Sequence, residues 1–236
     1  GFSTSGWTLG TALTGLTLGK SGNTAPLTVA ASYGASINGP ITLYGGDITV
    51  GANLTSSMSG SAILLKAAGN ITQNSSTQVS TSGGSVTYWS DSDGSAAGTI
   101  QLNAGTSSNS TSISTSGGDI VMGGGHADPL AGDAVNTGGQ GLNLNSHTSL
   151  NAGAGVVSLR GRSSVTGGAY GIGVRTFGAS ITGGNVSLTG VGSANASSNG
   201  FNWGVSLEGV TLTASGTLSI TGTGGGGGNT GGTNHG

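Results

Sequence analysis

One short sequence motif, which we call the glycine phrase, recurs along the chain and constrains the fold more than any other feature. Two glycines are followed by a small polar residue, a β-branched residue, a variable residue and a large apolar residue. The four copies lie at 45–50, 83–88, 117–122 and 183–188. In each copy the last three positions place a variable residue between two apolar ones. This alternation predicts a short β-strand with one buried face.

Other short apolar runs, separated by polar turns, are further strand candidates. They lie at 27–29, 41–43, 62–65, 70–72, 78–80, 99–102, 112–114, 142–144, 156–159, 164–166, 180–182, 210–212 and 217–220. No segment repeats its apolar residues with the period of a helix, so we predict almost no helix.

The spacing of the glycine phrases indicates a solenoid. They are 38, 34 and 66 residues apart, counted from 45 to 83, 83 to 117 and 117 to 183. These distances are roughly multiples of a coil of about 20 residues with insertions. A β-sandwich would use longer strands and hairpin signals such as Asn-Gly, which occurs only at 38–39 and 199–200. We therefore predict an all-β, right-handed parallel β-helix of about ten coils, with about 22 residues per coil.

The scarcity of charge fits such a coil. Charged residues make up 5% of the 236 residues, whereas an ordinary soluble domain has about 25%. In a β-helix, equivalent side chains of successive coils stack about 4.8 Å apart, so like charges would repel along the whole rod. Stacked Ser, Thr and Asn side chains form hydrogen bonds instead. We expect uncharged polar ladders outside and stacked aliphatic side chains inside.

Composition also argues against several kinds of partner. Cysteine is absent, which excludes disulfides and thiolate metal ligands. The chain has no basic patch of the kind that binds nucleic acid. The longest strongly apolar stretch, 62–65, ends at Lys66, far short of the about 20 residues that a membrane helix needs. We expect 1–222 to be the repeat region, as a fragment of a longer chain, and 223–236 to be a Gly-rich tail or linker.

Four segments resemble the repeat region of filamentous-haemagglutinin-like bacterial adhesins, which are very long β-helical exoproteins. They lie at 13–23, 39–46, 64–72 and 88–94, and the likeness covers about residues 8–222. The family's amino-terminal secretion domain has no counterpart in this sequence. The resemblance implies a secreted bacterial protein, located outside the cell or on its surface, that takes part in attachment, matrix or filament formation.

Asp91 and Asp93 are candidate ligands for Ca²⁺, because the run Asp-Ser-Asp-Gly at 91–94 resembles the start of a calcium loop. The rest of such a loop, including a closing Glu, is missing. We favour an exposed Asp/Gly turn after a strand. The sequence therefore predicts no cofactor. Ca²⁺ is the only ion for which it offers candidate ligands, Asp91 and Asp93.

An insertion at 123–141 contains His126, Asp128 and Asp133. These residue types are compatible with a metal site or an acid–base pair. Their spacing matches no familiar ligand set. A loop that leaves the coil and is stiffened by Pro129 is the simpler interpretation.

Arg160, Arg162 and Arg175 are three of the five basic residues, and they fall within 16 positions. A guanidinium group forks onto carboxylate or sulfate, so these residues are candidates for contact with an anionic glycan. The alternative is that they are solvated positions that raise solubility.

Some of the few aromatic residues are candidate platforms for sugar stacking. These are Trp7, Trp89, Tyr170 and Trp203. Aromatic residues in a β-helix also close an end or cover a bend, which is the alternative. Trp203 and the nearby Phe201 lie in a segment that looks like an excursion from the coil.

The sequence favours a structural or adhesive rod without catalysis. Its expected partners are host or environmental glycans and surfaces, or other copies of itself joined end to end, because an uncapped coil end offers open β-edges. A glycan-binding module is the alternative. A polysaccharide-degrading β-helix is a further one, but it needs clustered carboxylates, or a base with calcium, and the seven acids here are scattered.

Overall fold

A computed structural model of the chain describes residues 1–7, 9, 13–30, 37–164, 170–194 and 201–225. Within these ranges the structure is all-β and contains no helix. The strands form three sheets, and every pairing between strands is parallel. The architecture is that of the predicted parallel β-helix, with one strand of each sheet in a complete coil.

The strands of each sheet follow one another along the axis of the rod. Sheet A contains β1 (Phe2–Ser3), β3 (Leu27–Val29), β5 (Ile48–Val50), β8 (Ile71–Gln73), β11 (Ile100–Leu102), β15 (Leu142–Leu144), β18 (Val174–Phe177) and β21 (Val205–Glu208). Sheet B contains β2 (Leu16–Leu18), β4 (Ile41–Gly45), β7 (Ile63–Ala67), β10 (Val86–Ser90), β13 (Ile120–Gly124), β17 (Val156–Ser163), β20 (Asn185–Val191) and β23 (Leu218–Thr223), with β14 (Ala134–Asn136) beside β17. Sheet C contains β6 (Leu54–Ser59), β9 (Gln78–Ser82), β12 (Thr111–Ser114), β16 (Thr148–Asn151), β19 (Ser180–Gly183) and β22 (Thr211–Ala214).

The coils are less uniform than predicted. The chain passes through sheets B, A and C in turn. In-register residues in sheet B are Ile41, Ile63, Val86, Ile120, Val157, Val186 and Leu218. The coil therefore grows from 22 residues between Ile41 and Ile63 to 37 between Ile120 and Val157. Because of the added residues, sheets A and B each stack eight strands in the described part of the chain, somewhat fewer than the ten coils expected.

Most of the added residues enter at one corner, between a strand of sheet B and the next strand of sheet A, although the connection 103–110, between sheets A and C, is also long. We call the corner between sheets B and A the B–A corner. Its long connections are 91–99, 125–141, 164–173 and 192–204; of these, 165–169 and 195–200 lie outside the described residues, as does most of the predicted strand at 164–166. The insertion at 123–141 begins inside β13, and its β14 pairs with β17. Strand β23 ends at Thr223, and 226–236 of the predicted tail lie outside the described residues.

Aliphatic side chains stack in columns inside the coil. One column of sheet A consists of Leu27, Ile48, Ile71, Ile100, Leu142 and Val174, and each of these residues is at most 1% exposed. Burying a large aliphatic side chain stabilises a fold by about 1.5–3 kcal/mol. The columns therefore supply the main driving force for stacking one coil on the next.

Uncharged polar residues stack in equivalent columns outside. On sheet C the column consists of Gln78, Ser112, Ser149, Ser180 and Thr211. On sheet A the column consists of Thr28, Thr49, Thr72, Gln101, Asn143, Arg175 and Ser206. Arg175 is the one charged residue in these two columns. The expected columns of hydroxyls and amides are therefore present on sheets A and C, whereas the outward column of sheet B includes Leu64 and Val121.

Three of the four glycine phrases lie at the same corner, between sheets C and B, and the copy at 45–50 lies at the B–A corner. The first copy therefore differs from our single-repeat interpretation. Its role is similar, because a Cβ on the second glycine would meet a backbone oxygen of the preceding coil in every copy. The distance is 2.0 Å at Gly46, 1.9 Å at Gly84, 2.3 Å at Gly118 and 2.2 Å at Gly184. Both corners therefore need a residue without a side chain.

The polar residue of the phrase connects one coil to the next. Asp119 Oδ1 accepts a hydrogen bond from the backbone N–H of Val156 at 2.8 Å. Asn185 Oδ1 accepts one from Thr217 at 2.7 Å, and Asp47 Oδ1 accepts one from Asn70 at 2.8 Å. The phrase thus combines a close backbone approach with an acceptor for the N–H group above it.

Replacing Gly118 by alanine should destabilise the rod. The added Cβ would lie 2.3 Å from the carbonyl oxygen of Gly84, and overpacking of this kind costs about 1–3 kcal/mol. Gly138→Ala is the matched control, because its Cβ would meet only the side chain of Asn136 at 3.6 Å. Urea unfolding should show a lower free energy of unfolding for Gly118→Ala than for the control. Equal stability of the two variants would contradict the close stacking at this corner.

One polar pair interrupts the aliphatic interior. Tyr88 and Gln73 are both fully buried, and the Tyr88 hydroxyl donates to Gln73 Oε1 at 2.7 Å. Gln73 Nε2 donates to the carbonyls of Thr77 and Ser112. Burial raises the pKa of the Tyr88 phenol well above its ordinary value, so the hydroxyl stays neutral and keeps its donor role.

Tyr88→Phe should destabilise the coil even though the ring is kept. The change leaves Gln73 Oε1 buried without a donor, and an unsatisfied buried group costs about 1–3 kcal/mol. Tyr44→Phe serves as the control, because Tyr44 is a half-buried residue of β4 between the inward positions Leu43 and Gly45. Thermal melting should show a clear loss only for Tyr88→Phe. Equal melting temperatures for wild type and Tyr88→Phe would contradict this role of the hydroxyl.

Candidate functional site

The long connections at the B–A corner meet around a cavity of about 490 Å³, which we call the aromatic cleft. Its lining residues are Gln140, Tyr170, Ile172, Arg175, Phe201, Trp203 and Glu208. They come from three successive coils, since they lie before β15, before and in β18, and before and in β21. The volume falls within the range of small-molecule sites, about 300–1,000 Å³. The stacked coils thus hold three connections of different lengths side by side.

Three aromatic rings form one wall of the cleft. Tyr170 and Phe201 form a parallel β-bridge across two coils, and their rings stack with centroids 5.5 Å apart and an interplanar angle of 24°. The ring of Trp203 lies 4.8 Å from that of Phe201 at 56°. Tyr170 is 53% exposed and Phe201 is 37% exposed. The wall therefore presents aromatic surface to the solvent across two coils.

A polar edge of the cleft carries one cation and one anion. Arg175 Nε lies 3.8 Å from Glu208 Oε1, and Arg175 Nη1 donates to Asn143 Oδ1 at 3.4 Å. The hydroxyl of Ser206 donates to Glu208 Oε1 at 3.1 Å. The in-register stacking of Asn143, Arg175 and Ser206 produces these contacts. The cleft thus joins an apolar wall to a polar edge whose charges balance.

Arg160 and Arg162 form ion pairs with Asp133, whereas Arg175 pairs with Glu208. Arg162 Nε and Nη2 donate to Asp133 Oδ2 at 3.2 and 3.1 Å. Arg160 Nη2 lies 3.2 Å from Asp133 Oδ1, within ion-pair distance but not aligned as a hydrogen bond. The carboxylate is nearly buried, with 8% of its side chain exposed. The three arginines of the sequence cluster therefore divide between two carboxylates, Asp133 and Glu208.

Asp91 and Asp93 lie in a turn, but only Asp93 is exposed. Asp91 is 3% exposed, which differs from the exposed turn we expected. Its Oδ1 accepts hydrogen bonds from the Ser95 hydroxyl at 3.1 Å and the Ala97 N–H at 3.3 Å. Asp93 Oδ1 accepts one from the Ser95 N–H at 3.1 Å. The two carboxylates thus organise the loop itself.

The structure does not bring His126, Asp128 and Asp133 together. His126 is exposed and lines a cavity of about 390 Å³ with Lys66 and Asp93. Asp128 Oδ1 accepts a hydrogen bond from the N–H of Leu130 at 2.8 Å and shapes the loop. Among the residues described, no group of three His, Asp or Glu side chains could hold a metal ion. Within the same ranges, no helix is long and apolar enough to cross a membrane.

The other two tryptophans are engaged elsewhere. Trp89 donates its indole N–H to the carbonyl of Gly125 at 2.6 Å, and Lys66 Nζ lies 3.7 Å from the centroid of its ring. Trp7 packs edge-on against Phe2, with centroids 5.2 Å apart. Trp89 therefore covers a bend and Trp7 lies near one end of the rod, whereas Trp203 and Tyr170 share the cleft.

Comparison with known proteins finds no family model that matches the chain. No curated protein and no solved structure matches it either.

Sequence reasoning did not identify Gln140, Ile172 and Glu208 as members of a site. Glu208 is the only glutamate of the chain, and this was the one sequence feature that could have marked it as a candidate site residue. Tyr170 and Phe201 were noticed separately. Their pairing was hidden because the coil lengths at this end of the rod vary, so residues 31 positions apart become neighbours.

Asp133→Asn should increase binding to an anionic glycan. The substitution removes the one negative charge that offsets part of the two positive charges of Arg160 and Arg162, so retention on immobilised heparin at low salt should rise relative to wild type. Adding Arg160→Ala and Arg162→Ala to Asp133→Asn should abolish the gain. If wild type is already retained and loses retention on Arg160→Ala with Arg162→Ala alone, the two arginines bind anions despite Asp133, and this prediction is wrong.

Proposed function

We propose that the chain is a structural and adhesive rod segment of a secreted bacterial surface protein or extracellular filament, and that it does not act as an enzyme. The observation that carries this proposal is the pair of largely uncharged polar columns that run in register along sheets A and C. Such a surface has little net field to repel neighbouring rods or anionic surfaces, while its hydroxyls and amides remain available for many weak contacts.

The interior supports the same proposal. The aliphatic columns are continuous from coil to coil, so each coil contacts mainly its neighbours and the rod resists bending by packing along its whole length. Stacking of this kind produces an extended shape from a modest number of residues. The resemblance to filamentous-haemagglutinin-like adhesins favours a location outside the cell or on its surface.

The last described coil exposes a surface that another β-coil can cover. Strands β21, β22 and β23 are the terminal strands of their sheets in the described structure. Three residues at inward positions of this coil are partly exposed: Leu207 at 41%, Leu218 at 46% and Ile220 at 43%. Open edges and exposed aliphatic side chains are suited to pairing with another β-coil. That coil is either a further turn of the same polypeptide or a turn of a second copy, and association of second copies can be tested on this chain.

Charge at this end should prevent assembly. Leu218→Lys with Ile220→Lys places two cations at inward positions of β23, whereas Ser219→Lys, the matched control, places one on the outward side between them. Sedimentation velocity over a range of concentrations should show end-to-end oligomers for wild type and the control, and a monomer for the double variant. A wild type that stays monomeric at high concentration would contradict assembly through this end.

A glycan-binding module is a second candidate function, and the aromatic cleft favours it. Aromatic walls with a few polar groups are typical of ligand sites. A polysaccharide-degrading enzyme is less well supported at this place, because glycoside hydrolysis ordinarily requires two carboxyl groups and the described lining of the cleft contains one, Glu208. Glycan binding would complement the rod function, since it gives the rod a point of attachment.

A further inference from the structure

We infer that the aromatic cleft binds an uncharged pyranose sugar, either the terminal unit or a short segment of a neutral glycan. The inference rests on the adhesive function proposed above and adds the class of ligand. It also differs from the anionic glycan that the arginine cluster in the sequence predicts. Three properties of the cleft point to this ligand: the aromatic wall, the donor and acceptor groups that share its lining, and the balance of charge.

The aromatic wall suits the face of a sugar ring. Tyr170 and Phe201 are nearly parallel, with an interplanar angle of 24°, and both are exposed. One face of many pyranose rings presents mainly C–H groups, which carry partial positive charge and pack against the electron-rich face of an aromatic ring. Because Tyr170 and Phe201 each cover one face of the other, a sugar ring would pack on the outward face of Tyr170, the more exposed of the two rings.

The polar edge suits hydroxyl groups. The ion pair between Arg175 and Glu208 is 3.8 Å long, which is too long for a hydrogen bond. Within the described residues, no hydrogen bond is made by Arg175 Nη2 or by Glu208 Oε2. A sugar hydroxyl both donates and accepts. Two neighbouring hydroxyls can therefore accept from the guanidinium and donate to the carboxylate at the same time.

The charge balance disfavours an acidic sugar. Glu208 is well exposed, with 45% of its side chain accessible, so a uronate or sulfate attracted to Arg175 would also meet a carboxylate of like charge. Arg160 and Arg162 do not alter this balance, because both are paired with Asp133. A purely apolar ligand is also disfavoured, since it would cover Arg175 and Glu208 without supplying hydrogen bonds.

Titration calorimetry with defined tetrasaccharides tests the inference. The neutral probes are cellotetraose, maltotetraose and mannotetraose, and the acidic probe is tetragalacturonic acid. We expect at least one neutral probe to bind, and the acidic probe to bind at least ten-fold more weakly. Tyr170→Ala should weaken the neutral probe by about ten-fold, the loss of one stacking contact. Trp7→Ala, which removes an exposed ring away from the cleft, should leave the affinity unchanged.

Glu208→Gln tests the charge balance separately. It keeps the size of the side chain but removes the repulsion, so tetragalacturonic acid should gain several-fold in affinity. Circular dichroism and melting curves of each variant distinguish a folding defect from a lost contact.

The inference is overturned if none of the three neutral probes binds, if tetragalacturonic acid binds more tightly than all of them, or if Tyr170→Ala leaves the affinity unchanged. These outcomes are distinguishable from failure of the rod proposal. Intact end-to-end assembly without sugar binding rejects only the sugar site, and sugar binding by a chain that never assembles rejects only the assembly.

Discussion

Each strand inside a sheet of this molecule is hydrogen-bonded to the equivalent strand of the coil before it and the coil after it, and this register decides which side chains become neighbours. Strands in a sheet lie about 4.8 Å apart, so a residue type at one position is repeated close to itself along the rod. Stacked aliphatic side chains bury one another and stabilise the coil, and stacked hydroxyls and amides can hydrogen-bond. Stacked like charges repel each other, which explains why charged residues make up only 5% of the chain.

The same constraint explains where a ligand site can form. The sheets and the corner between sheets C and B follow the coil closely, so new side chains enter mainly where the chain leaves it, at the B–A corner. Connections of successive coils at this corner lie next to each other, as the bridge between Tyr170 and Phe201 shows. Five of the twelve charged residues of the chain are ion-paired close to this corner or in the cleft: Asp133, Arg160, Arg162, Arg175 and Glu208. Because the stacked sheets favour repeated residue types, much of the charge of this chain lies at the B–A corner and in the cleft beside it.

Much of the fold could be predicted from the sequence, because two inward aliphatic residues in most strands of sheets A and B produce a visible alternation. Strands β3 and β15 have the bounds that were predicted for them. Strand β16 was missed because its single large apolar residue, Leu150, is not β-branched. The predicted strands at the equivalent positions have β-branched residues there: Val79, Ile113 and Ile181. Gly155 was missed because it has no second glycine beside it, although its position over Gly118 leaves no room for a Cβ. The cleft could not be predicted, since its assembly depends on coil lengths that the sequence pattern does not reveal.

Pairs of introduced cysteines test the register of the coils most directly, because the natural chain has no cysteine. Ser112 and Ser149 are directly paired in adjacent coils, whereas Ser180 is one coil further along. Disulfides need Cα atoms about 4.4–6.8 Å apart, and strands two coils apart are separated by about 9.6 Å. In dilute solution with mild oxidant, Ser112→Cys with Ser149→Cys should form an intramolecular disulfide, and Ser112→Cys with Ser180→Cys should not. Equal cross-linking of both pairs, or cross-linking of the second pair alone, would contradict the stacked coil.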